Sequence, residues 1–132
     1  MPQAYPITEH KYDVIVVGAG PAGSHLAMHL ARRGYQVTLL DRKRFPRPKP
    51  CGEFMSPECL PLLERLGLRN NLLHLRVPKV RGMNLYGYGV ETHGRYGAAV
   101  HVASSFSHGH AIRREVLDEQ SFLAASRTPG AR

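Results

Sequence analysis

Three glycines and one acid carry the clearest chemical signal in the sequence. Gly18, Gly20 and Gly23 form the spacing G-x-G-x-x-G directly after the apolar run VIVV, and Asp41 follows the next apolar run. A glycine turn that opens a helix presents unpaired backbone N–H groups and the positive end of the helix dipole, and both favour phosphate. An acid after the second strand can accept hydrogen bonds from ribose hydroxyls and disfavours a 2′-phosphate. The pattern therefore predicts a dinucleotide site.

The elements that must position these residues form a strand–helix–strand unit. We predict a strand over 12–17, a helix over 21–33 and a second strand over 36–41, which together make a βαβ unit over 12–41. The continuous β-branched run in the first strand predicts burial on both faces of a parallel sheet. Alone, the glycine spacing is a weak signal, because an ordinary strand-to-helix turn also uses glycine. Its position between a strand and a helix, with the acid after the next strand, favours the dinucleotide interpretation.

Each residue of the turn has a separate expected task. Gly18 permits the tight turn, and Gly20 has no side chain, so the backbone can approach a pyrophosphate. Gly23 lets the helix pack close to the strand. Pro21 suits the first helical position, where its missing N–H is not needed. Ala22 completes the first turn beside them.

The rest of the chain predicts further elements around this unit. A leader occupies 1–11, a loop and helix occupy 42–67, a β-rich insert occupies 78–106, and a helix occupies 113–125. Four prolines in 46–57 predict an extended loop without strand pairing. The glycines and alternating apolar residues of the insert predict two or three antiparallel strands.

Composition limits the classes of protein. The chain has 132 residues, 42% of them hydrophobic, and a formal charge of +8, so it is about one domain long with a basic surface. The basic residues concentrate between 32 and 49, which suits a phosphate-bearing partner, but aromatic residues are not interleaved with them, so no nucleic acid is expected. Two cysteines, no signal peptide and no long apolar stretch predict a reducing, cytoplasmic location without a membrane span. No metal site is predicted.

Several longer stretches resemble a known family. The segment VIVVGAGPAGSHLAMHLARRGYQVTLLDR resembles the N-terminus of FAD-dependent oxidoreductases with two dinucleotide motifs. FPRPKPCGEFMSPECLPLLERLGL resembles the branch that contains geranylgeranyl reductases and flavin-dependent halogenases and monooxygenases, as does AIRREVLDEQSFLAASRTPGAR. The resemblance implies an α/β fold: a Rossmann-like FAD/NAD(P)-binding βαβ unit with an antiparallel β insertion. It also implies FAD as cofactor and NAD(P)H as a possible electron donor.

The resemblance further implies roles for individual residues. The glycine turn would hold the FAD pyrophosphate, Asp41 the adenosine ribose and Arg42 the region of the adenine. Arg114 would reach the cofactor, with its neighbour Arg113 a weaker candidate, and the loop at 51–52 would pass near the flavin ring. No catalytic residue is assigned. The implied cofactor-binding residues are Gly18, Gly20, Pro21, Ala22, Gly23, Asp41, Arg42, Cys51, Gly52 and Arg114.

The sequence departs from the family pattern, and it leaves alternatives open. Members carry a later Gly-Asp motif beside the flavin, and no Gly-Asp pair occurs in this sequence, which predicts a truncated domain too short for turnover alone. Reduction of an isoprenoid double bond, hydroxylation and halogenation stay open, as do the substrate and the oligomeric state. The alternatives are a non-catalytic nucleotide-binding fragment, a basic nucleic-acid-binding fragment, and an NAD-dependent dehydrogenase, which the CGE loop and Arg114 disfavour.

Overall fold

A computed structural model describes residues 11–97 and 107–132. Its described elements are short strands in three small sheets, joined by four helices. In chain order they are β1 (Val14–Val17), α1 (Pro21–Ala31), β2 (Val37–Leu40), β3 (Phe54–Met55), α2 (Cys59–Leu66), α3 (Arg69–His74), β4 (Lys79–Val80), β5 (Gly82–Gly87), β6 (Val90–Arg95), β7 (Gly109–Ala111) and α4 (Arg114–Ser126). The order confirms the α/β class, with a βαβ unit at the start and a β-rich region between helices.

The βαβ unit is a parallel pair of strands connected by α1. β1 and β2 are in register from Val14 opposite Val37 onward, and Ala131 forms a parallel bridge to Val37 on the other edge of β2. The prediction that β1 is buried on both faces is wrong for the described residues. Val16 is buried, whereas Ile15 is 62% exposed. Successive side chains of a strand point to opposite faces, and the described helices cover only the face of Val16.

Helix α1 packs against α4 through small side chains. It begins at Pro21 as predicted and ends at Ala31, two residues before the predicted end, and Gly34 follows with a φ of +94°. Side chains this small let two helix backbones approach closely, so the start of α1 lies beside the start of α4. The fully or nearly buried residues are Ser24, Ala27, Met28 and Ala31 on α1 and Asp118, Ser121 and Ala125 on α4, and Ala27 and Ala31 belong to the smaller core with Val16 and Val37.

A three-stranded antiparallel sheet forms where a loop without pairing was expected. β7 lies between β3 and β4, with Met55 opposite His110 and Lys79 opposite His110 on the other side. The prediction of an unpaired loop over 46–57 is therefore wrong at β3. The prolines of that segment flank the strand without entering it, so the N–H groups of Phe54 and Met55 are available for pairing.

The β-rich insert contains one well-formed hairpin. β5 and β6 pair over six positions through a two-residue turn at Tyr88 and Gly89, both with positive φ, as the tight turns between twisted strands require. β4, β5 and β6 lie within the predicted 78–106. The part of that prediction over 98–106 lies outside the described residues, and so does the predicted leader over 1–11 except for its last residue.

Helices α2 and α3 cover the three-stranded sheet and form the larger apolar core. Pro61 lies in the first turn of α2, where its nitrogen needs no helical partner, and Gly67 ends the helix with a φ of +77°. α3 was not predicted. Its short amphipathic pattern, RNNLLH, follows Gly67 after one residue and is too brief to show a period. The buried core residues are Met28, Met55, Leu60, Leu63, Leu66, Leu68, Leu72, Ile112 and Ala125.

No helix in the described part of the chain has the length and apolar character needed to cross a membrane.

Candidate functional site

The glycine turn lies between the end of β1 and the start of α1, and each glycine has a different physical reason to be there. Gly18 has a φ of +106°, which disfavours any side chain. A Cβ on Gly23 would lie 1.8 Å from the carbonyl oxygen of Gly18, so only glycine allows α1 to pack this close to β1. Gly20 has ordinary extended backbone angles, so its glycine is not required by conformation.

The space in front of Gly20 is lined by cationic groups. A Cβ there would meet the guanidinium of Arg47 at 3.5 Å and that of Arg114 at 3.8 Å, at ordinary contact distance. The glycine therefore leaves room beside two guanidinium groups at the start of a helix. That combination of open space, positive charge and helix N-terminus suits a phosphate group.

Asp41 connects the end of β2 to the glycine turn. Its Oδ2 accepts a hydrogen bond from the backbone N–H of Ala19 at 2.9 Å and lies 3.4 Å from the guanidinium of Arg47. Its Oδ1 accepts from the backbone N–H of Lys43 at 2.9 Å. An ionised carboxylate offers about four acceptor positions. Three are used within the chain, which leaves one for a ligand hydroxyl.

Hydrogen bonding keeps Asp41 ionised. Burial would raise the pKa of Asp41, but the N–H groups of Lys43 and Ala19 and the charge of Arg47 outweigh it and hold the pKa below its ordinary value. The carboxylate is therefore a hydrogen-bond acceptor at neutral pH.

Two arginines and two acids form a continuous ionic network behind the turn. Arg47 lies between Asp41 and the fully buried Asp118, whose Oδ2 is 3.1 Å from the Arg47 guanidinium without hydrogen-bond geometry. Asp118 also accepts a 2.5 Å hydrogen bond from Nε of Arg114, one helical turn earlier on α4. The network ties the end of β2 and the loop after it to the start of α4.

Arg114 stays protonated throughout the accessible pH range. Partial burial would lower its pKa, but the hydrogen bond and charge of Asp118, and a smaller contribution from Cys51, raise it. Arg114 therefore offers a permanent positive charge to the space in front of Gly20.

Two adjoining clefts meet at the glycine turn and share Val17, Gly18, Arg47 and Lys49, so we treat them together as the glycine groove. The first, of about 310 Å³, contains Asp41 and Arg42. The second, of about 410 Å³, is completed by Gly20, Pro21, Ala22, Gly23, Leu26 and Arg114.

The structure brings eight of the ten predicted cofactor residues into this groove and leaves two outside it. Cys51 is exposed and interacts with Arg114, but neither Cys51 nor Gly52 lines either cleft. The predicted roles of all ten remain predictions. Sequence reasoning missed Arg47 and Asp118 as parts of the site. The spacing of Arg114 and Asp118, one helical turn apart, was the available signal for the second of them.

Within the described residues, no group of three or more His, Cys, Asp or Glu side chains is arranged to hold a metal ion.

Sequence comparison finds a reductase and a chlorinase among the relatives of this chain. A menaquinone reductase of Mycobacterium tuberculosis is 41% identical over 122 residues, which cover 91% of this chain and 28% of the reductase. A 1H-pyrrole-2-carbonyl-[peptidyl-carrier protein] chlorinase of Pseudomonas fluorescens is 33% identical over 76 residues, covering 58% of this chain and 17% of the chlorinase. The chain thus spans about 28% of the length of the menaquinone reductase.

Solved structures agree with the sequence relatives. The FAD-dependent chondrochloren halogenase from a myxobacterium superposes with a TM-score of 0.77 at 28% identity, over 92% of this chain and 28% of the halogenase. The flavin-dependent halogenase CmlS superposes with a TM-score of 0.76 at 28% identity, over 94% of this chain and 22% of that enzyme.

The profile of the FAD binding domain family matches residues 11–122, which is most of the chain and includes the glycine turn, Asp41 and the start of α4. The chain therefore belongs to the FAD binding domain family of flavin-dependent reductases, monooxygenases and halogenases, and its cofactor is FAD.

Proposed function

We propose that the glycine groove holds the adenosine and pyrophosphate half of FAD. One observation carries the proposal: Asp41, the glycine turn and the guanidinium groups of Arg47 and Arg114 line one continuous groove. The open space in front of Gly20, which a Cβ would partly fill, fits a pyrophosphate. The remaining acceptor position of Asp41 fits one ribose hydroxyl.

The residues of the chain have distinct tasks in this proposal. The start of α1 and the guanidinium of Arg114 stabilise the phosphate charges, and Asp41 orients the ribose. Arg47 holds Asp41 and Asp118 in place, and its Nη2 lies beside the open space in front of Gly20. FAD, when bound, supplies hydride-transfer or oxygen chemistry at its flavin ring. The described residues contribute binding and orientation of the cofactor.

Competition among flavin and adenine compounds tests the assignment. FAD binding to the purified chain is followed by fluorescence, with ADP, FMN and NADP⁺ as competitors. We expect ADP to displace FAD and FMN not to do so, because the groove recognises the adenosine and pyrophosphate. Displacement by FMN as effective as that by ADP would contradict the proposal. NADP⁺ should compete poorly, because its 2′-phosphate would approach the Asp41 carboxylate.

For the whole enzyme, we propose a reductase acting on a quinone related to menaquinone. The support is that the 41% identity to the menaquinone reductase extends over 91% of this chain, whereas the match to the chlorinase is both weaker and shorter. NAD(P)H would serve as the electron donor. Hydroxylation and halogenation are the competing outcomes.

Exchange of domains tests the reductase proposal. Residues 11–122 replace the matching segment of the M. tuberculosis menaquinone reductase, and a control hybrid carries the matching segment of the P. fluorescens chlorinase. We expect the first hybrid to retain FAD and to reduce menaquinone, and the control to lose most of that activity. Equal activities would show that this segment does not distinguish reductases from halogenases.

A further inference from the structure

A second cavity adjoins the larger apolar core, between helices α2 and α3 and strands β4 and β7. Its volume is about 90 Å³, and none of its lining residues belongs to the glycine groove. One wall consists of leucine side chains, and the other consists of side chains with nitrogen-containing polar groups. The lining residues are Leu60, Leu63 and Leu72 on the helices, and Arg69, Lys79, His108 and His110.

Pairing of the strands places the nitrogen-bearing side chains together. Lys79 of β4 lies directly opposite His110 of β7, and residues opposite each other in antiparallel strands project to the same face. The rings of His108 and His110 are 5.3 Å apart in an edge-on arrangement. This face of the sheet therefore presents one ammonium and two imidazoles to the same small space.

Among the described residues, the lining contains the cations Lys79 and Arg69 and no acid. Burial lowers the pKa of His108, and the positive groups of Lys79, His110, Arg81 and Arg69 lower it further, so these groups are close enough to repel one another. Glu64 neutralises part of the charge at the rim, because its carboxylate lies 2.6 Å from Arg69. The undescribed residues 98–106, which precede His108, contain no Asp or Glu.

His110 gives an independent indication of a missing partner. The residue is only 5% exposed, and its buried Nδ1 has no hydrogen-bond partner among the described residues. Buried polar atoms in folded proteins are almost always paired, so His110, which also lines the cavity, has hydrogen-bonding capacity that the described chain does not use.

We propose that this cavity binds a small carboxylate with a short alkyl stem. The carboxylate lies against Lys79 and the two imidazoles, and the stem packs on the three leucines of α2 and α3. The cavity has about the volume of three water molecules in the liquid, which admits a compact acid and excludes a nucleotide. Inorganic phosphate would satisfy the charges but leave the leucine wall without an apolar partner.

Sodium butyrate is the probe, with butyramide as its neutral isostere and sodium phosphate as a compact anion. The imidazole nitrogen resonances of His108 and His110 are followed by NMR in the full 132-residue chain at constant pH and ionic strength. We expect saturable shifts with butyrate at a dissociation constant on the order of 1 mM, and weaker shifts with the other two. Such an affinity is reasonable for so small a ligand.

Variants separate binding from folding. Lys79→Gln changes an exposed side chain and should weaken butyrate binding at least about fivefold, whereas the matched Lys11→Gln, outside the cavity, should leave it unchanged. His110→Gln removes the buried ring, and a thermal melt checks that it still folds. No saturable shift with butyrate, equal affinity for butyramide or phosphate, or equal binding by Lys79→Gln would each overturn the proposal.

Discussion

Replacement of Asp41 by alanine should weaken FAD binding through loss of a single hydrogen bond to the adenosine ribose. Three of the acceptor positions of its carboxylate are used by Ala19, Lys43 and Arg47, so one is available to the ligand. A hydrogen bond to a charged group contributes about 1.5–3 kcal/mol. Since about 1.4 kcal/mol corresponds to a factor of ten, the dissociation constant should rise roughly 10- to 140-fold.

The same substitution also loosens the turn, because Ala19 loses its acceptor, so affinity alone cannot separate the two causes. Isothermal titration with ADP and with 2′,3′-dideoxy-ADP separates them. The unmodified chain should prefer ADP by a factor within the range above. Asp41→Ala should bind the two compounds about equally, since no carboxylate remains to recognise the hydroxyls. A loosened turn would weaken both compounds alike without removing the preference.

Asp13→Ala is a matched control for this experiment. Asp13 accepts a backbone hydrogen bond from Gln36 at 2.7 Å and so joins the same two strands at their other end, outside the groove. Its loss should lower the melting temperature and leave the preference for ADP unchanged. The reasoning is refuted if Asp41→Ala keeps the preference, or if Asp13→Ala loses it.

Three further predictions concern the same network. Gly20→Ala should keep the fold, because its Cβ has ordinary contacts, and should lose most of the bound FAD. Gly23→Ala should instead lower the melting temperature strongly. The reverse pattern would contradict the tasks assigned to the two glycines. Arg47→Gln should lower the free energy of unfolding, measured by chemical denaturation, by about 1–3 kcal/mol, because the carboxylates of Asp41 and Asp118 lose an ion-pair partner. Arg44→Gln, at an exposed position, should have little effect in the same measurement. Folding lowers the pKa of Asp41 from its ordinary 3.8, so its contribution to the free energy of unfolding is complete above that pH and disappears as the pH falls through the lower folded value. The difference in melting temperature between the unmodified chain and Asp41→Asn should therefore shrink below about pH 4. A difference that stays constant with pH would refute this prediction.

The glycine turn was predictable because its requirements are local. The positive φ of Gly18 and the contact of Gly23 with the turn both depend on residues within a short stretch of chain, and the spacing encodes them directly. The position of Asp41 was predictable for a related reason, since parallel strands joined by one helix end at the same edge of a sheet. Helix α4 was predicted over 113–125 and forms over Arg114–Ser126, although the residues it buries include the polar Asp118 and Ser121.

The three-stranded sheet could not be predicted in the same way. β3 has two residues and β7 has three, too few to show alternation, and they pair across more than fifty positions of sequence. The burial of β1 was wrongly predicted because a continuous apolar run shows only that both faces of a strand can be buried. It does not show whether other elements are present to cover both faces. Arg47 was not singled out because it lies in a run of basic residues, and composition does not show which member of such a run lines a site.

The charge balance of the groove assigns different tasks to its cations. Arg47 and Arg114 are paired with Asp41 and Asp118, so these four side chains together add no net charge. They fix geometry, and their guanidinium groups supply directional N–H donors to a phosphate. In the proposed site, the net attraction for a pyrophosphate would come from the start of α1 and from the groove-lining cations that have no carboxylate within ion-pair distance in the described part of the chain. Those are Arg42, Lys43 and Lys49, all on the groove wall. The basic run between residues 32 and 49, which in the sequence suits a phosphate-bearing partner, thus contributes positive potential to the groove.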